Sequence, residues 1–379
     1  MKNRVCKLVG CEFPLFAFSH CRDVVAAVSR AGGFGVFGAS SCTPEELDIE
    51  LRWIDDHVDG KPYGVDVLIP ENMGSAVLTQ TTKEQLMDQI SPEHRRFVVE
   101  LLAKHGIAAT PDEVVRDMLP TLLPQISEQL LDVAFRHPIR LIANALGIAP
   151  ASMISRAKVH GVPVASLVGA KEHALRQVQA GVDIIVAQGG EAGGHCGEVS
   201  TLVLVPEVVR AVKAVRDVPV LAAGGIMTGA QMAGCMAMGA DGAWTGSVWL
   251  STTEAETTEA IREKIVRASS RDTVRSRSRT GKPARQLRSA WHDAWDGDSS
   301  PGALPMPLMG MVSQAAFKKI NKAVEGGNQH ALPLVSYFVG QGVGLVENVL
   351  SATQVVQSFK EEFAEAFLAL EAQVAGADD

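Results

Sequence analysis

Val218-Pro219-Val220-Leu221-Ala222-Ala223-Gly224-Gly225-Ile226 is a short apolar run that closes on two glycines, and the segments around it have helical spacing. Apolar runs of this length, bounded by turn residues, read as buried strands, and strands that alternate with helices read as β-α units around a parallel sheet. Working outward, the same unit recurs from the N-terminus to about residue 268, with apolar runs at 13–18, 33–37, 63–69, 139–145, 162–168, 182–187, 218–222 and 242–245. Eight units is the number that closes an α/β (β/α)8, or TIM, barrel.

The intervening helices carry start signals. In Thr43-Pro44-Glu45-Glu46, Thr43 can cap, Pro44 suits the first turn and Glu46 can reach back to the cap. Ser91-Pro92-Glu93-His94 and Thr110-Pro111-Asp112-Glu113 repeat the design inside residues 70–138, an interval too long for one β-α connection. Residues 70–138 are therefore expected to form a helical insertion between the third and fourth strands. After the eighth unit, residues 269–379 show no clear strand series, and 359–367 read as an amphipathic C-terminal helix. The expected organisation is a barrel of residues 1–69 and 139–268, with the insertion and the tail 269–379 joining in a helical lid.

The 379 residues hold 35 Lys+Arg against 43 Asp+Glu, a formal net charge of −8, with 46% hydrophobic residues and 35 glycines. An acidic balance argues against nucleic-acid and anionic-membrane partners, because counterion release needs a basic face. Six cysteines, Cys6, Cys11, Cys21, Cys42, Cys196 and Cys235, show no C-x-x-C spacing and read as reduced thiols, with no metal site expected. The basic start Met1-Lys2-Asn3-Arg4-Val5 precedes an apolar stretch too short for a signal core, and no apolar run is long enough for a bilayer. A cytoplasmic protein is expected.

In such a barrel the active site lies at the carboxyl ends of the strands, and the loops after strands seven and eight commonly hold phosphate. Here those loops read Ala222-Ala223-Gly224-Gly225-Ile226 and Trp244-Thr245-Gly246-Ser247. Glycines admit backbone N–H groups close to phosphate oxygens, a following helix N-terminus favours negative charge, and Ser247 adds a hydroxyl donor. A tight turn would use Gly224 and Gly225 equally well, but the matching glycine and hydroxyl after strand eight favour the phosphate. Strand six ends in Gln188-Gly189-Gly190-Glu191-Ala192-Gly193-Gly194-His195-Cys196-Gly197, five glycines in ten residues around one imidazole. So many glycines let a loop pass close beside a flat ligand, and His195 at its rim can take or give a proton near neutral pH. The alternative is a structural histidine satisfied by backbone.

The run from Gln188 to Gly197, the Ala-Ala-Gly-Gly-Ile run with Gly239-Ala240-Asp241-Gly242, and Ala31-Gly32-Gly33-Phe34-Gly35 together resemble the motifs of the nitronate monooxygenases, formerly called 2-nitropropane dioxygenases. The resemblance spans residues 4–268 and continues weakly into 279–285 and Gly340-Gln341-Gly342. It implies an FMN-dependent barrel with the flavin ring at its mouth, oxidising an alkyl nitronate with O2 through a flavin intermediate. By position, Gln188, Gly193 and Gly194 would contact FMN, Gly224, Gly225 and the Trp244, Thr245, Gly246, Ser247 segment would hold its phosphate, and His195 would be the catalytic base. Asp66 falls where these enzymes usually carry an Asn near the flavin. A carboxylate there would repel an anionic reduced flavin unless protonated or paired. His20 and Cys21 stand at the end of strand one in place of a Pro-Met pair; His20 reads as a rim histidine bonded to the next helix, with a second acid or base as the alternative. Met306-Pro307-Leu308-Met309-Gly310-Met311 could wall the substrate or simply pack.

The same signatures also resemble flavin-dependent enoyl-thioester and NAD(P)H:quinone reductases of this superfamily. The basic residues Arg275, Arg277, Arg279, Lys282 and Arg285 could pair with thioester phosphates, or form a solvated loop. No dinucleotide fingerprint is evident, so a nicotinamide donor would visit the flavin transiently. A non-catalytic flavin-binding protein is a third reading, and the amphipathic helix faces leave a homodimer open.

Overall fold

The computed structural model describes residues 1, 3–69, 83–115 and 124–375. All eight expected runs are strands: β1 (Leu15–Ser19), β2 (Phe34–Gly38), β3 (Tyr63–Asp66), β4 (Ile142–Asn144), β5 (Val164–Val168), β6 (Ile184–Gln188), β8 (Val220–Ala223) and β9 (Gly242–Thr245). They close in that order into a parallel barrel, with β9 returning to β1 through the pairs Leu15 with Ala243 and Ala17 with Thr245. Between β6 and β8, the two-residue strand β7 (Gly194–His195) leaves the barrel and joins β10 (Thr273–Ser276) and β11 (Ala284–Leu287) in a small antiparallel sheet.

Alternation along each strand sorts side chains into two cores. Phe16, Phe34, Val36, Leu141, Ile184, Val186, Leu221 and Trp244 fill the barrel interior. Leu15, Ala17, Val65, Ile185 and Val220 face the surrounding helices instead. Val5, Cys6 and Val9 of the helix Arg4–Val9 also join the inner core, so this helix plugs one end of the barrel. Arg4 pins it there with a two-pronged ion pair to Asp241 at 2.6 and 2.8 Å. In the sequence this segment had shown only its charge.

The capping box at Thr43 forms, with Thr43 and Glu46 exchanging side-chain hydrogen bonds with each other's backbone N–H. Ser91 likewise caps the helix Pro92–Lys104. At Thr110, Glu113 reaches back to the Thr110 N–H at 2.8 Å, but residues 111–114 make only a turn.

The expected lid boundaries need correction at both ends. Part of the 70–138 interval lies outside the described residues, but its last helix, Pro124–Ala134, places Leu130, Leu131 and Val133 in the barrel's outer core. The C-terminal helix Ala352–Ala375 does the same with Val355, Val356 and Phe359, and Phe363 meets Phe13 edge-on at 5.8 Å. No long helix directly follows β9, so this returning helix covers the apolar face left open there, against the helices Arg22–Arg30 and Gly229–Ala237. The cap is built from the middle of the tail and of the insertion. Val98, Leu101 and Leu102 pack with Trp291, Trp295, Val312 and Ile320 in a core of their own. Met309 and Met311 are fully buried in it, which settles the Met-rich run as packing. All six cysteines are free, and no helix among the described residues is long and apolar enough to cross a membrane.

Candidate active site at the barrel mouth

The glycine-rich loop after β6 is folded by its own polar residues. Glu191 accepts hydrogen bonds from the Thr201 N–H and hydroxyl, both at 2.8 Å, and so anchors the loop to the N-terminus of the helix Thr201–Lys213. Gly189 donates to the Ala223 carbonyl at 2.9 Å and Gly190 to the Val199 carbonyl at 2.7 Å. Gly193 has a different reason to be glycine from the expected flavin contact: a Cβ there would lie 2.8 Å from the backbone of Val339 and Gly340. The next two residues, Gly194 and His195, pair with Arg285 and Ala284 as β7, which ties the mouth of the barrel to the cap.

His195 is open to solvent at this junction, and its Nε2 lies 2.8 Å from the Thr280 hydroxyl. The Thr280 hydroxyl donates to the Lys282 carbonyl at 3.1 Å and accepts from the Lys282 N–H at 3.3 Å. With that hydroxyl proton committed, the consistent arrangement has His195 Nε2–H donating to Thr280, which leaves the Nδ1 lone pair free. Desolvation and the nearby Lys282 charge hold the imidazole below its ordinary pKa, so it is neutral at pH 7.

Opposite this loop, Asp66 ends β3. Only 4% of its surface is exposed, its Oδ1 is buried without a hydrogen-bond partner among the described residues, and burial pushes its carboxyl up to about 7. Gln188 ends β6 half-buried. His20 is bonded not to the next helix but to the Gly38 carbonyl through Nδ1 at 2.7 Å, with its ring edge-on to Phe18 at 5.1 Å. Burial lowers its pKa as well.

The residues expected to hold the phosphate divide into some left free by the fold and others already engaged. Gly224 and Gly225 adopt φ of +101° and +74°, conformations that L side chains rarely take. Trp244, however, lies inside the barrel, stacked on Phe16 and Phe18 at 6.1 and 6.4 Å. The Thr245 hydroxyl donates to the Phe16 carbonyl and accepts from Trp249 Nε1, both at 3.0 Å. Their side chains are engaged elsewhere: Trp244 fills the barrel interior, and Thr245, on the opposite face of β9, is held by the Phe16 carbonyl and Trp249. The helix N-terminus after β8 is also claimed: the Gly229 N–H donates to Glu362 of the C-terminal helix at 2.6 Å, and the Met227 N–H to Gln231 at 2.8 Å. What remains are the backbone N–H groups of Gly225, Gly246 and Ser247, which donate to no acceptor among the described residues. The Gly340–Gly342 segment joins them. Gly340 donates to Ser247 Oγ at 2.8 Å, Gln341 donates to the Glu191 carbonyl at 2.8 Å, and Gly342 packs on Gly225. Its sequence signal was the Gly-Gln-Gly spacing, but nothing local linked it to strands far earlier in the chain.

The basic run divides in the same way. Arg285 donates to the Gly190 carbonyl, and Arg275 donates to Glu198 and the Cys196 carbonyl, so both serve to fasten the cap sheet to the glycine loop. Arg279 turns inward, and only Arg277 and Lys282 are exposed. Among the described residues no group of His, Cys, Asp and Glu could hold a metal ion.

The chain matches the family model described as Nitronate monooxygenase over residues 19–362. It is 51% identical over 365 residues, 96% of this chain and 96% of the relative, to a Mycobacterium tuberculosis protein named as a candidate monooxygenase. A Staphylococcus aureus (strain Newman) protein named "Probable nitronate monooxygenase" is 26% identical over 332 residues, 83% of this chain and 87% of the relative. Among solved structures, FabK from Thermotoga maritima superposes with a TM-score of 0.69 at 26% identity, covering 98% of this chain and 99% of that one. A nitroalkane oxidase from Streptomyces ansochromogenes superposes with a TM-score of 0.79 at 24% identity over 97% and 100% of the two chains, a likeness of fold. With a match that runs from the end of β1 into the C-terminal helix, the chain belongs to the nitronate monooxygenase family of flavin-dependent oxidoreductases.

Proposed function

We propose that the protein is an FMN-dependent nitronate monooxygenase acting on small alkyl nitronates with O2, with His195 as its base. The observation that carries this reading is the state of His195, a neutral imidazole at the mouth, oriented through Nε2 by Thr280 and free at Nδ1. A neutral imidazole, held in orientation by a second group, is what proton abstraction next to a nitro group requires.

The residues present fit the cofactor. Asp66 offers a buried oxygen without a partner at the end of β3, and Gly225, Gly246 and Ser247 offer unclaimed amides at the ends of β8 and β9. Gln188 and Asp66 would meet the ring, and those amides with the Ser247 hydroxyl would hold the phosphate. FMN, when bound, supplies the electron acceptor for nitronate oxidation and the route for those electrons to O2. A carboxyl raised to about 7 is largely neutral below that pH, so Asp66 can stand beside the ring as a hydrogen-bond donor there without the repulsion expected of a carboxylate. His195 Nδ1 takes the carbon-bound proton of a neutral nitroalkane, or orients a nitronate that arrives already ionised. The cap sheet, fastened by Arg275 and Arg285, holds His195 in place at the mouth.

The test is oxygen uptake by the flavin-loaded protein with a short alkyl nitronate, run beside NADH and NADPH. Nitronate-dependent uptake, with FMN as the flavin released on denaturation, is expected. Nicotinamide oxidation without a response to nitronate would replace this reading with a reductase, and a protein that cannot be loaded with FMN would overturn the cofactor. Of the basic residues that could pair with thioester phosphates, Arg275 and Arg285 are spent on intrachain contacts, while Arg277 and Lys282 are exposed.

A further inference from the structure

Arg279 sits in the cap with its guanidinium carbon 3.7 Å above the Phe317 ring centre and 4.9 Å from that of Phe338. None of its N–H donors finds an acceptor among the described residues, and its Nη1 is wholly buried. No carboxylate of the described residues bears on it; Tyr337 does, the buried His292 feels its charge, and burial pushes Arg279 down to about 10, so it stays charged at pH 7. Stacking on two rings explains how the cation tolerates this place, but leaves the whole in-plane edge of the guanidinium unused.

Three observations put this edge at the mouth. The next residue, Thr280, touches His195. Phe338, beneath the guanidinium, pairs with Gln286, two residues along β11 from Ala284, the partner of His195. Residues two apart on a strand share a face with those directly opposite them, so Phe338 and His195 project on the same side of the cap sheet. Tyr337, whose hydroxyl has no hydrogen bond among the described residues, feels the charges of Arg279 and of Glu256, which follows β9, and neighbours the Cys21 thiol, next to His20 at the end of β1.

We infer that Arg279, assisted by the Tyr337 hydroxyl, is a specificity residue that anchors a planar two-oxygen anion of the substrate beside His195. A guanidinium offers two parallel N–H donors that match a nitronate or a carboxylate, and an anion is the partner that its desolvated charge lacks. The proposal rests on the nitronate reading for the reaction, but not for the anion site.

The test titrates the flavin-loaded protein with nitrate and with butyrate by calorimetry, and measures KM and kcat for a short alkyl nitronate. Native protein and the variants Arg279→Met and Arg279→Lys are compared. Charge-assisted bonds of this kind correspond to roughly 10- to 100-fold in affinity, so Arg279→Met is expected to weaken anion binding by that factor, with partial recovery in Arg279→Lys. A KM for the alkyl nitronate raised in parallel, at unchanged kcat, assigns the anchored group to the nitronate itself. An unchanged KM with lost butyrate binding assigns it to a separate carboxylate on the substrate. Native protein that binds neither anion overturns the proposal, as does Arg279→Met that binds them normally. Thermal unfolding guards against a folding artefact: an anchor removed leaves stability equal or higher, whereas a loss of stability in both variants makes Arg279 structural and refutes the inference. Anion binding that needs Arg279 in a protein inert to nitronates would keep this site and sink the nitronate reading.

Discussion

Asp66→Asn should remove a pH dependence of stability that can be worked from the fold. The carboxyl is buried at the end of β3 with an unpartnered Oδ1, and burial alone pushes its pKa up to about 7. In the unfolded chain an Asp titrates near about 3.9. Between these values the native state holds a proton that the unfolded state has released, so unfolding free energy falls as pH rises, by about 1.4 kcal/mol per pH unit. The penalty is absent below about 3.9, grows through the interval and is complete above about 7, where it reaches roughly 4 kcal/mol. From pH 5 to pH 8 the native chain should lose roughly 2.5 kcal/mol that the neutral isostere keeps. Urea unfolding of the flavin-free protein at the two pH values, native beside Asp66→Asn, measures the difference directly. Parallel pH dependence in the two proteins would mean that Asp66 is ionised in the folded state and paired with something, and the argument for a neutral carboxyl at the mouth would fail.

His195→Asn should leave flavin bound and cut turnover by about 10²- to 10⁴-fold, the usual contribution of a positioned base; unchanged turnover removes His195 from the mechanism. Because the native imidazole is held below its ordinary pKa, kcat/KM for a neutral nitroalkane should fall only on the acid side of about 6.5, and a flat profile through that region would contradict the assignment. Gly225→Leu combines a strained φ of +74° with a Cβ 3.0 Å from that of Glu191, so flavin content per protein should drop; full occupancy would place the phosphate elsewhere. In Gly229→Val the new Cβ would fall 2.1 Å from the Phe359 carbonyl oxygen, which should cost about 1–3 kcal/mol by forcing the C-terminal helix away. An unchanged melting temperature would refute the packing of that helix against the barrel.

Some of this was legible because it is local. A buried parallel strand must be a short apolar run, and a β-α loop that receives a ligand must carry glycine near its start, so the eight strands, the Gln188–Gly197 loop and the Gly224-Gly225 turn were visible in the sequence. The cap at Thr43 was visible for the same reason, since its donor and acceptor lie three residues apart.

Other features depend on partners far away in the chain. Helix period in 359–367 marks an apolar face but not what covers it, and only the folded chain lays that face on the barrel and Glu362 on the Gly229 N–H. Trp244 and Thr245 stand in the expected phosphate loop, yet the alternation of β9 sends Trp244 into the barrel and Thr245 to the opposite face, while Gly246 and Ser247 continue toward Gly340. Arg279 is one of five basic residues in a short run and chemically indistinguishable from its neighbours there. Its distinct place comes from Phe317 and Phe338, 38 and 59 residues further on. The barrel, the glycine loops and a titratable group at the mouth follow from residue order alone, because strand burial and turn geometry act between near neighbours. The tertiary structure decided which of those side chains face a ligand and which are spent holding barrel and cap together, because desolvation and hydrogen-bond partnership are set by whatever the rest of the chain brings alongside.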